Sequence, residues 1–202
     1  MIIEKLSNRV VQYLVHCNSI EDTEEYRDYY QYGVEITISS VLSVAAVLAI
    51  GILLHRFFAS VLYLFLFMFI RRFTGGYHAN TYFKCNITGC ITFSSVILLS
   101  FLAEKYDGFK YLSFAFALIS VLIIMIYCPI ENKNKPIAPN KIKRYRILSV
   151  IIALVYCIIA GIVLFVSQFY GYLILFTLSL TAMLVIIEKI KEMRFIHNEE
   201  QY

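Results

Sequence analysis

The chain has 202 residues, of which 60% are hydrophobic and 16% charged, with a formal net charge of +4 and a mean hydropathy of +0.72. A soluble domain carries about a quarter charged residues, so this composition predicts a membrane-embedded protein and excludes a soluble globular one. The basic residues lie at the ends of apolar stretches rather than in a patch interleaved with aromatics, which argues against a nucleic-acid partner.

The first 32 residues predict two short interfacial helices. In the first, apolar residues recur every three or four positions, as in an amphipathic helix that lies among lipid headgroups. These residues are Ile2, Ile3, Leu6, Val10, Tyr13, Leu14 and Cys17. A second helix is predicted from Ile20 to Tyr32, with Ser19 as its cap. Acidic residues interrupt this segment, so it is not expected to be a secretory signal.

Six apolar stretches follow, each of which approaches the roughly 20 residues that cross a hydrocarbon core. They are Gly33–Leu54, Phe57–Ile70, Ile87–Ala103, Tyr111–Cys128, Ile147–Ser167 and Gly171–Ile187. The second is short, which leaves two alternatives: its flanking arginines extend their stems outward, or it is a half-helix that only dips into the bilayer. The prediction is an all-α, polytopic membrane protein of one domain, with residues 1–32 interfacial, 33–187 a six-span bundle and 188–202 a cytoplasmic tail.

The distribution of basic residues predicts the orientation, because Lys and Arg concentrate in short cytoplasmic loops. The loop from Pro129 to Arg146 contains one acid, Glu131, beside Lys133, Lys135, Lys141, Lys143, Arg144 and Arg146. The loop after the second span is also basic, whereas the loops at the opposite ends of the spans are nearly balanced in charge. Both termini and the two basic loops are therefore predicted on the cytoplasmic side of the cell membrane.

A polar, reactive stretch, RRFTGGYHANTYFKC, runs from Arg71 to Cys85 between two spans. In a regular helix His78 and Cys85 would lie on one face but about 10 Å apart along the axis, too far for the contact of roughly 3 Å that proton transfer needs. The pair Gly75–Gly76 permits a break in the helix, and residues 79–81 supply turn and cap chemistry. We expect His78 on a loop folded over the start of the third span, with Cys85 in the first turns of that helix.

A cysteine is only a few per cent thiolate at neutral pH, so a nucleophilic Cys85 needs assistance. Three sources are predicted: the positive end of a helix, the imidazole of His78 as proton acceptor, and the charges of Arg71, Arg72 and Lys84. Spacing alone also allows the alternative that Cys85 is a small packing residue and His78 an interfacial polar one.

The loop from Arg71 to Lys84 contains no acid, so the group that orients His78 must come from elsewhere. Glu35, near the cytoplasmic start of the first span, and Asn86 are the candidates. A carboxylate at a membrane edge is often functional, but Glu35 equally fits a solvated helix cap. No metal or cofactor is expected, because the His-Glu-x-x-His pattern of zinc proteases is absent. The other cysteines in or beside the spans are expected to be packing residues: Cys90, Cys128 and Cys157.

Two segments resemble the accessory gene regulator protein B family. The first is Arg71-Arg72-x-x-x-Gly76-x-His78-Ala79 followed by Cys85, directly after an apolar span. The second runs from Cys128-Pro129-Ile130-Glu131 through Asn134-Lys135-Pro136-Ile137 to Arg146. The number and lengths of the spans are similar over nearly the whole chain. Asn80 and Lys84 depart from the proline and the aromatic residue of some members, which leaves the substrate preference open.

The resemblance implies a membrane endopeptidase that processes a small propeptide, AgrD, into a cyclic quorum-sensing peptide in Gram-positive bacteria. Position by position, it makes Cys85 and His78 catalytic and Arg71 functionally important. The implied chemistry is a peptidyl thioester on Cys85 followed by closure of a thiolactone or lactone ring. The implied partners are the propeptide and membrane lipid, and a homodimer stays an open alternative.

The alternative from another class is a non-enzymatic membrane protein, such as a transporter or anchoring subunit, with an incidental His/Cys pair. Transporters tend to bury ionisable residues at mid-membrane, and these spans contain almost none there. A neighbouring short reading frame that encodes an amphipathic segment, a central cysteine or serine and an acidic tail would favour the enzyme.

Overall fold

The computed structural model describes residues 2–17, 19, 23–76, 81–130 and 138–199, and the regular structure within these ranges is helical. The helices are α1 (Ile2–His16), α2 (Glu24–Leu53), α3 (Phe57–Thr74), α4 (Tyr82–Lys105), α5 (Asp107–Tyr127), α6 (Pro139–Val166) and α7 (Gln168–Glu199). Helices α2 to α7 are long and apolar enough to cross a membrane. The predicted all-α, six-span fold is therefore confirmed, and the chain is a multi-pass membrane protein.

Helix α7 forms the centre of the bundle, since it packs against α3, α4, α5 and α6. The buried share of its most apolar stretch is 56%, against 39% or less in the other spans. The outer helices expose large apolar side chains such as Phe65, Leu118 and Phe165, as lipid-facing surfaces do because lipid tails are equally apolar. A polar side chain on the inner part of α7 is consequently enclosed by protein.

Helix α2 differs from the prediction at its start. A separate helix from Ile20 to Tyr32 is wrong, because α2 runs without a break from Glu24 to Leu53. Its cap is Thr23 rather than Ser19: the Thr23 side chain accepts a hydrogen bond from the Tyr26 N–H at 3.4 Å. Gly33 does not end the helix, since a glycine in a helix interior costs only about 1 kcal/mol.

The other five spans also extend beyond their predicted ends; α5 begins at Asp107 rather than Tyr111, and α6 at Pro139 rather than Ile147. Helix α3 continues past Ile70 to Thr74, and its 18 residues make it long enough to count as a full span. Helix α4 begins at Tyr82, ahead of the predicted Ile87, and α7 continues past Ile187 to Glu199. Polar residues at these ends lower the local hydropathy although the backbone remains helical, so hydropathy alone places the boundaries too far inside.

A helix is present where the first one was predicted, at Ile2–His16, and its place at a membrane surface stays a prediction. Ser7 and Val11, one turn apart, are buried in a helix that packs against α2, whereas Leu6, Val10 and Tyr13 remain exposed. The apolar side chains are thus exposed on one side of α1, while charged residues such as Lys5 and Arg9 are exposed on another, as in a helix that lies along a membrane surface.

Successive spans run in opposite directions, so the end of α3, the start of α4, the end of α5, the start of α6 and the end of α7 lie at the same end of the bundle. At the opposite end, Arg56 fixes the start of α3. Its guanidinium lies 4.9 Å from the ring centroid of Phe101 on α4 and 4.5 Å from that of Phe169 on α7. These cation–π contacts tie three spans together at the end remote from Cys85.

Candidate active site

The break between α3 and α4 begins at the predicted glycine pair. Gly75 and Gly76 have φ values of 70° and 121°, which side chains other than glycine rarely adopt. Space is also limiting at the first position, because a β-carbon on Gly75 would overlap the carbonyl oxygen of Ile130. The N–H of Ile130 donates to the Thr74 carbonyl at 3.0 Å. The start of the loop is thereby packed against the segment that follows α5.

This packing joins the two segments that sequence analysis identified separately. Ile130 contacts the end of α3. Arg146 on α6 donates two hydrogen bonds, of 3.0 Å and 3.2 Å, to the carbonyl of Met125 at the end of α5.

Cys128 lies between Met125 and Ile130 in the chain and is only 3% exposed. Burial raises the pKa of its thiol to about 12. Cys128 is therefore a protonated packing residue, as predicted, and not a second nucleophile.

Cys85 lies in the first turn of α4, where it was predicted. Thr81 caps the helix: its hydroxyl accepts a hydrogen bond from the Lys84 N–H at 3.3 Å, and its carbonyl accepts one from the Cys85 N–H at 3.1 Å. The Cys85 side chain is half-buried. His78 lies outside the described residues, so its contact with Cys85 stays a prediction.

Arg71 is the basic residue that the structure brings to Cys85. It occupies the last turn of α3 and is half-buried, with its guanidinium 5.3 Å from the ring centroid of Phe67. It lies within electrostatic range of the Cys85 thiol and the Tyr63 hydroxyl. Arg72 and Lys84 are exposed instead. They add positive charge around the mouth of the site, while Arg71 supplies it inside.

Glu35 lies within α2 and is not a solvated helix cap. Its Oε1 accepts hydrogen bonds from the Ser7 hydroxyl at 3.0 Å and the Gln31 amide at 3.2 Å. Its Oε2 accepts one from the hydroxyl of Tyr82, the first residue of α4, at 3.0 Å. The carboxylate therefore connects α1 and α2 to the helix that carries Cys85.

Asn86 makes a parallel connection one position after Cys85. Its side-chain oxygen accepts hydrogen bonds from the hydroxyl of Ser39 at 3.1 Å and from that of Ser43, both on α2. Together with Glu35, it fixes the first turns of α4 against α2. Both residues that sequence analysis considered for orienting His78 thus hold α4, the helix that carries Cys85, against α2.

Glu188 is a member of the site that sequence analysis missed. It lies on α7 within electrostatic range of Arg71, and its side chain is 15% exposed. The sequence contains a signal for it, an acid directly after an apolar stretch. Because the sixth span was predicted to end at Ile187, Glu188 was assigned to the tail.

The described groups are suited to nucleophilic chemistry on a carbonyl. They offer a thiol at a helix start, a guanidinium beside it and a carboxylate from the central helix. Over the described ranges, no group of His, Cys, Asp and Glu side chains comes together as metal ligands would.

Comparisons with known proteins agree with the resemblance noted in the two segments. The family model for accessory gene regulator B matches residues 7–187. Accessory gene regulator protein B of Staphylococcus epidermidis is 29% identical over 182 residues, covering 90% of this chain and 90% of that protein. The protein of the same name from Staphylococcus lugdunensis is 24% identical over 172 residues, covering 85% and 87%. No solved structure matches the chain. Because the family model covers Arg71, Cys85 and the second segment as well as most of every span, this chain belongs to the accessory gene regulator B family.

Proposed function

We propose that this protein is a membrane-embedded cysteine endopeptidase of a quorum-sensing system. Its substrate would be a small AgrD-like propeptide, from which it removes the C-terminal tail before ring closure. The observation that carries the proposal is the position of Cys85, half-buried in the first turn of α4 with Arg71 in electrostatic range. Family membership supports the same assignment.

The first step is acyl transfer to the enzyme. The Cys85 thiolate attacks a peptide carbonyl carbon, the C–N bond breaks, and His78 gives its proton to the departing amine. The tail leaves and the remaining peptide is held as a thioester on Cys85. The oxyanion of the tetrahedral intermediate needs donors, and the Arg71 guanidinium is the described donor within electrostatic range of the thiol.

The second step releases the product. A thiol of the same peptide, or a hydroxyl in variants, attacks the thioester carbonyl; its proton passes to His78 and the Cys85 thiolate leaves. The thioester has to outlast hydrolysis, so water must be excluded. A half-buried cysteine at the mouth of a helix bundle meets this requirement better than one in an open cleft.

The charge at this end of the bundle suits an acidic tail. Arg72 and Lys84 are exposed at the site, and Lys141, Lys143 and Arg144 are exposed at the start of α6. Opposite charges steer a peptide toward the site and favour its correct register. The same basic residues support a site on the cytoplasmic side of the cell membrane, where a newly made propeptide is available.

Co-expression of the chain with its propeptide tests the proposal. Cys85→Ala and His78→Ala are expected to abolish tail removal while the protein still inserts in the membrane. Cys90→Ala is the matched control, because Cys90 is a half-buried cysteine of the same helix. Mass spectrometry of the wild type should also find the shortened peptide attached to Cys85 by a bond that hydroxylamine cleaves. Cleavage by the Cys85→Ala variant at the wild-type rate would remove the proposal.

A further inference from the structure

A column of aromatic rings leads along α3 to Arg71. The ring centroid of Phe67 lies 5.3 Å from the Arg71 guanidinium, and the same ring stacks on that of Tyr63, with centroids 5.4 Å apart and 11° between the planes. Both rings are buried. The three residues are spaced four apart, so they lie on one side of the helix. The charge of Arg71 therefore rests on an aromatic face inside the bundle.

The end of this column remote from Arg71 is hydrogen-bonded to the helix that carries Cys85. The Tyr63 hydroxyl lies 2.8 Å from the hydroxyl of Thr92 on α4. Thr92 donates its own proton to the Gly89 carbonyl at 2.9 Å, so Tyr63 is the donor to Thr92. Both side chains are buried, and their hydrogen bond fixes which residues of the two helices face each other.

Arg71 and Cys85 lie at the same distance from this hydrogen bond. Arg71 is eight residues after Tyr63, about 12 Å along α3, and Cys85 is seven residues before Thr92, about 10.5 Å along α4. The two helices run in opposite directions, so both distances lead toward the same end of the bundle. The register that Tyr63 sets is thus the one that brings Arg71 within electrostatic range of the thiol.

We propose that Phe67 and Tyr63 are positioning residues that hold the Arg71 guanidinium beside the Cys85 thiol. Phe67 acts through its ring face, because the π electrons of an aromatic ring attract a cation, and Tyr63 acts through its hydrogen bond to α4. The inference rests on the proposed function, in which Arg71 stabilises the oxyanion formed at Cys85. The titratable groups within electrostatic range of Arg71 in the described ranges are Tyr63 from α3 itself, Cys85 from α4 and Glu188 from α7.

The test measures the charge around Cys85 without any substrate. The full-length protein in detergent is treated with two methanethiosulfonate reagents, one bearing an anionic sulfonate and the other a cationic trimethylammonium group. Mass spectrometry of the proteolysed protein gives the rate of modification at each cysteine, and the exposed Cys17 is the internal reference. A nearby guanidinium speeds the anionic reagent and slows the cationic one. One unit charge at about 8 Å in a water-like medium changes the ratio of the two rates roughly 5-fold.

Arg71→Gln removes the charge and should give the full fall in this ratio at Cys85. Phe67→Leu keeps an apolar side chain but removes the ring face, so we expect most of that fall, with single-turnover propeptide cleavage slowed roughly 10- to 10²-fold. Phe67→Tyr retains the ring and should keep the wild-type ratio. Phe65→Leu is the matched control, because Phe65 also stacks within α3, on Phe69, but is exposed.

A wild-type ratio at Cys85 in the Phe67→Leu protein, or in the Arg71→Gln protein, overturns the inference. A purely structural role for the ring would lower stability and leave this ratio unchanged, because both reagents probe the same thiol. If Phe67→Leu does not accumulate in the membrane, Tyr63→Phe decides: it loses one oxygen and keeps the ring, so the ratio should fall, and a wild-type value rejects the inference. Propeptide cleavage by Cys85→Ala would instead reject the proposed function, so the two failures are distinguishable.

Discussion

Replacing Gly75 with alanine should destabilise the protein by loosening the contact between the two family segments. Gly75 combines a φ of 70° with a ψ of −142°, a region that costs any other residue about 1 to 3 kcal/mol. The new β-carbon would also displace Ile130, whose hydrogen bond to Thr74 contributes about 1 kcal/mol. The sum is about 2 to 4 kcal/mol, or a fall in melting temperature of roughly 4 to 16 °C for a chain of this size.

Circular dichroism of the purified protein in detergent measures this change, with two matched variants. Gly89→Ala replaces a glycine inside α4 that has open space around it, so it should leave the melting temperature unchanged or raise it. Gly76→Ala meets an unfavourable φ of 121° but no overlap, and isolates the backbone cost. A Gly75→Ala protein that melts within about 1 °C of the Gly89→Ala variant, where the expected shift is several degrees, would refute this reading of the contact.

Two further predictions concern Cys128 and the cap of α4. Because burial raises the Cys128 pKa to about 12, its thiol is protonated at neutral pH. In the folded protein, a thiolate-specific alkylating agent should therefore modify the exposed Cys17 first and Cys128 only upon unfolding. Mass spectrometry of the proteolysed protein measures the modification at each cysteine. Equal modification of both in the folded state would contradict that burial. Thr81→Ala removes a helix cap worth about 1 kcal/mol and should slow propeptide cleavage by shifting the first turn of α4. Thr81→Ser keeps the hydroxyl and should retain activity. Thr23→Ala, which removes the cap of α2, should lower stability without a specific loss of cleavage.

The sequence was sufficient to predict the membrane spans, because each span needs a long apolar stretch whatever its neighbours are. It also predicted the break at Gly75 and the position of Cys85, since glycine and threonine have strong local preferences at helix ends. The ends of the spans were predicted less well. A charged residue such as Arg71 or Glu188 is read as lying outside the membrane, although protein neighbours accommodate it inside the bundle.

The contacts that assemble the site were beyond local sequence patterns. The hydrogen bond from Tyr82 to Glu35 and the packing of Gly75 on Ile130 join residues that are far apart in the chain. No periodicity or capping rule encodes such pairs, because they depend on how the spans are arranged around α7. Glu188 was missed for this reason: only the fold shows that the end of α7 lies beside Arg71.

The clamp on Arg56 has a consequence for chimeric proteins. Because its guanidinium is held between Phe101 and Phe169, the position and rotation of α3 are fixed at this end. Inserting a single residue between Arg56 and Arg71 would turn the far end of this helix by about 100° and swing the Arg71 guanidinium away from the thiol. Exchanges of spans between relatives should therefore preserve the number of residues from clamp to active site, even where the intervening apolar side chains are freely interchanged.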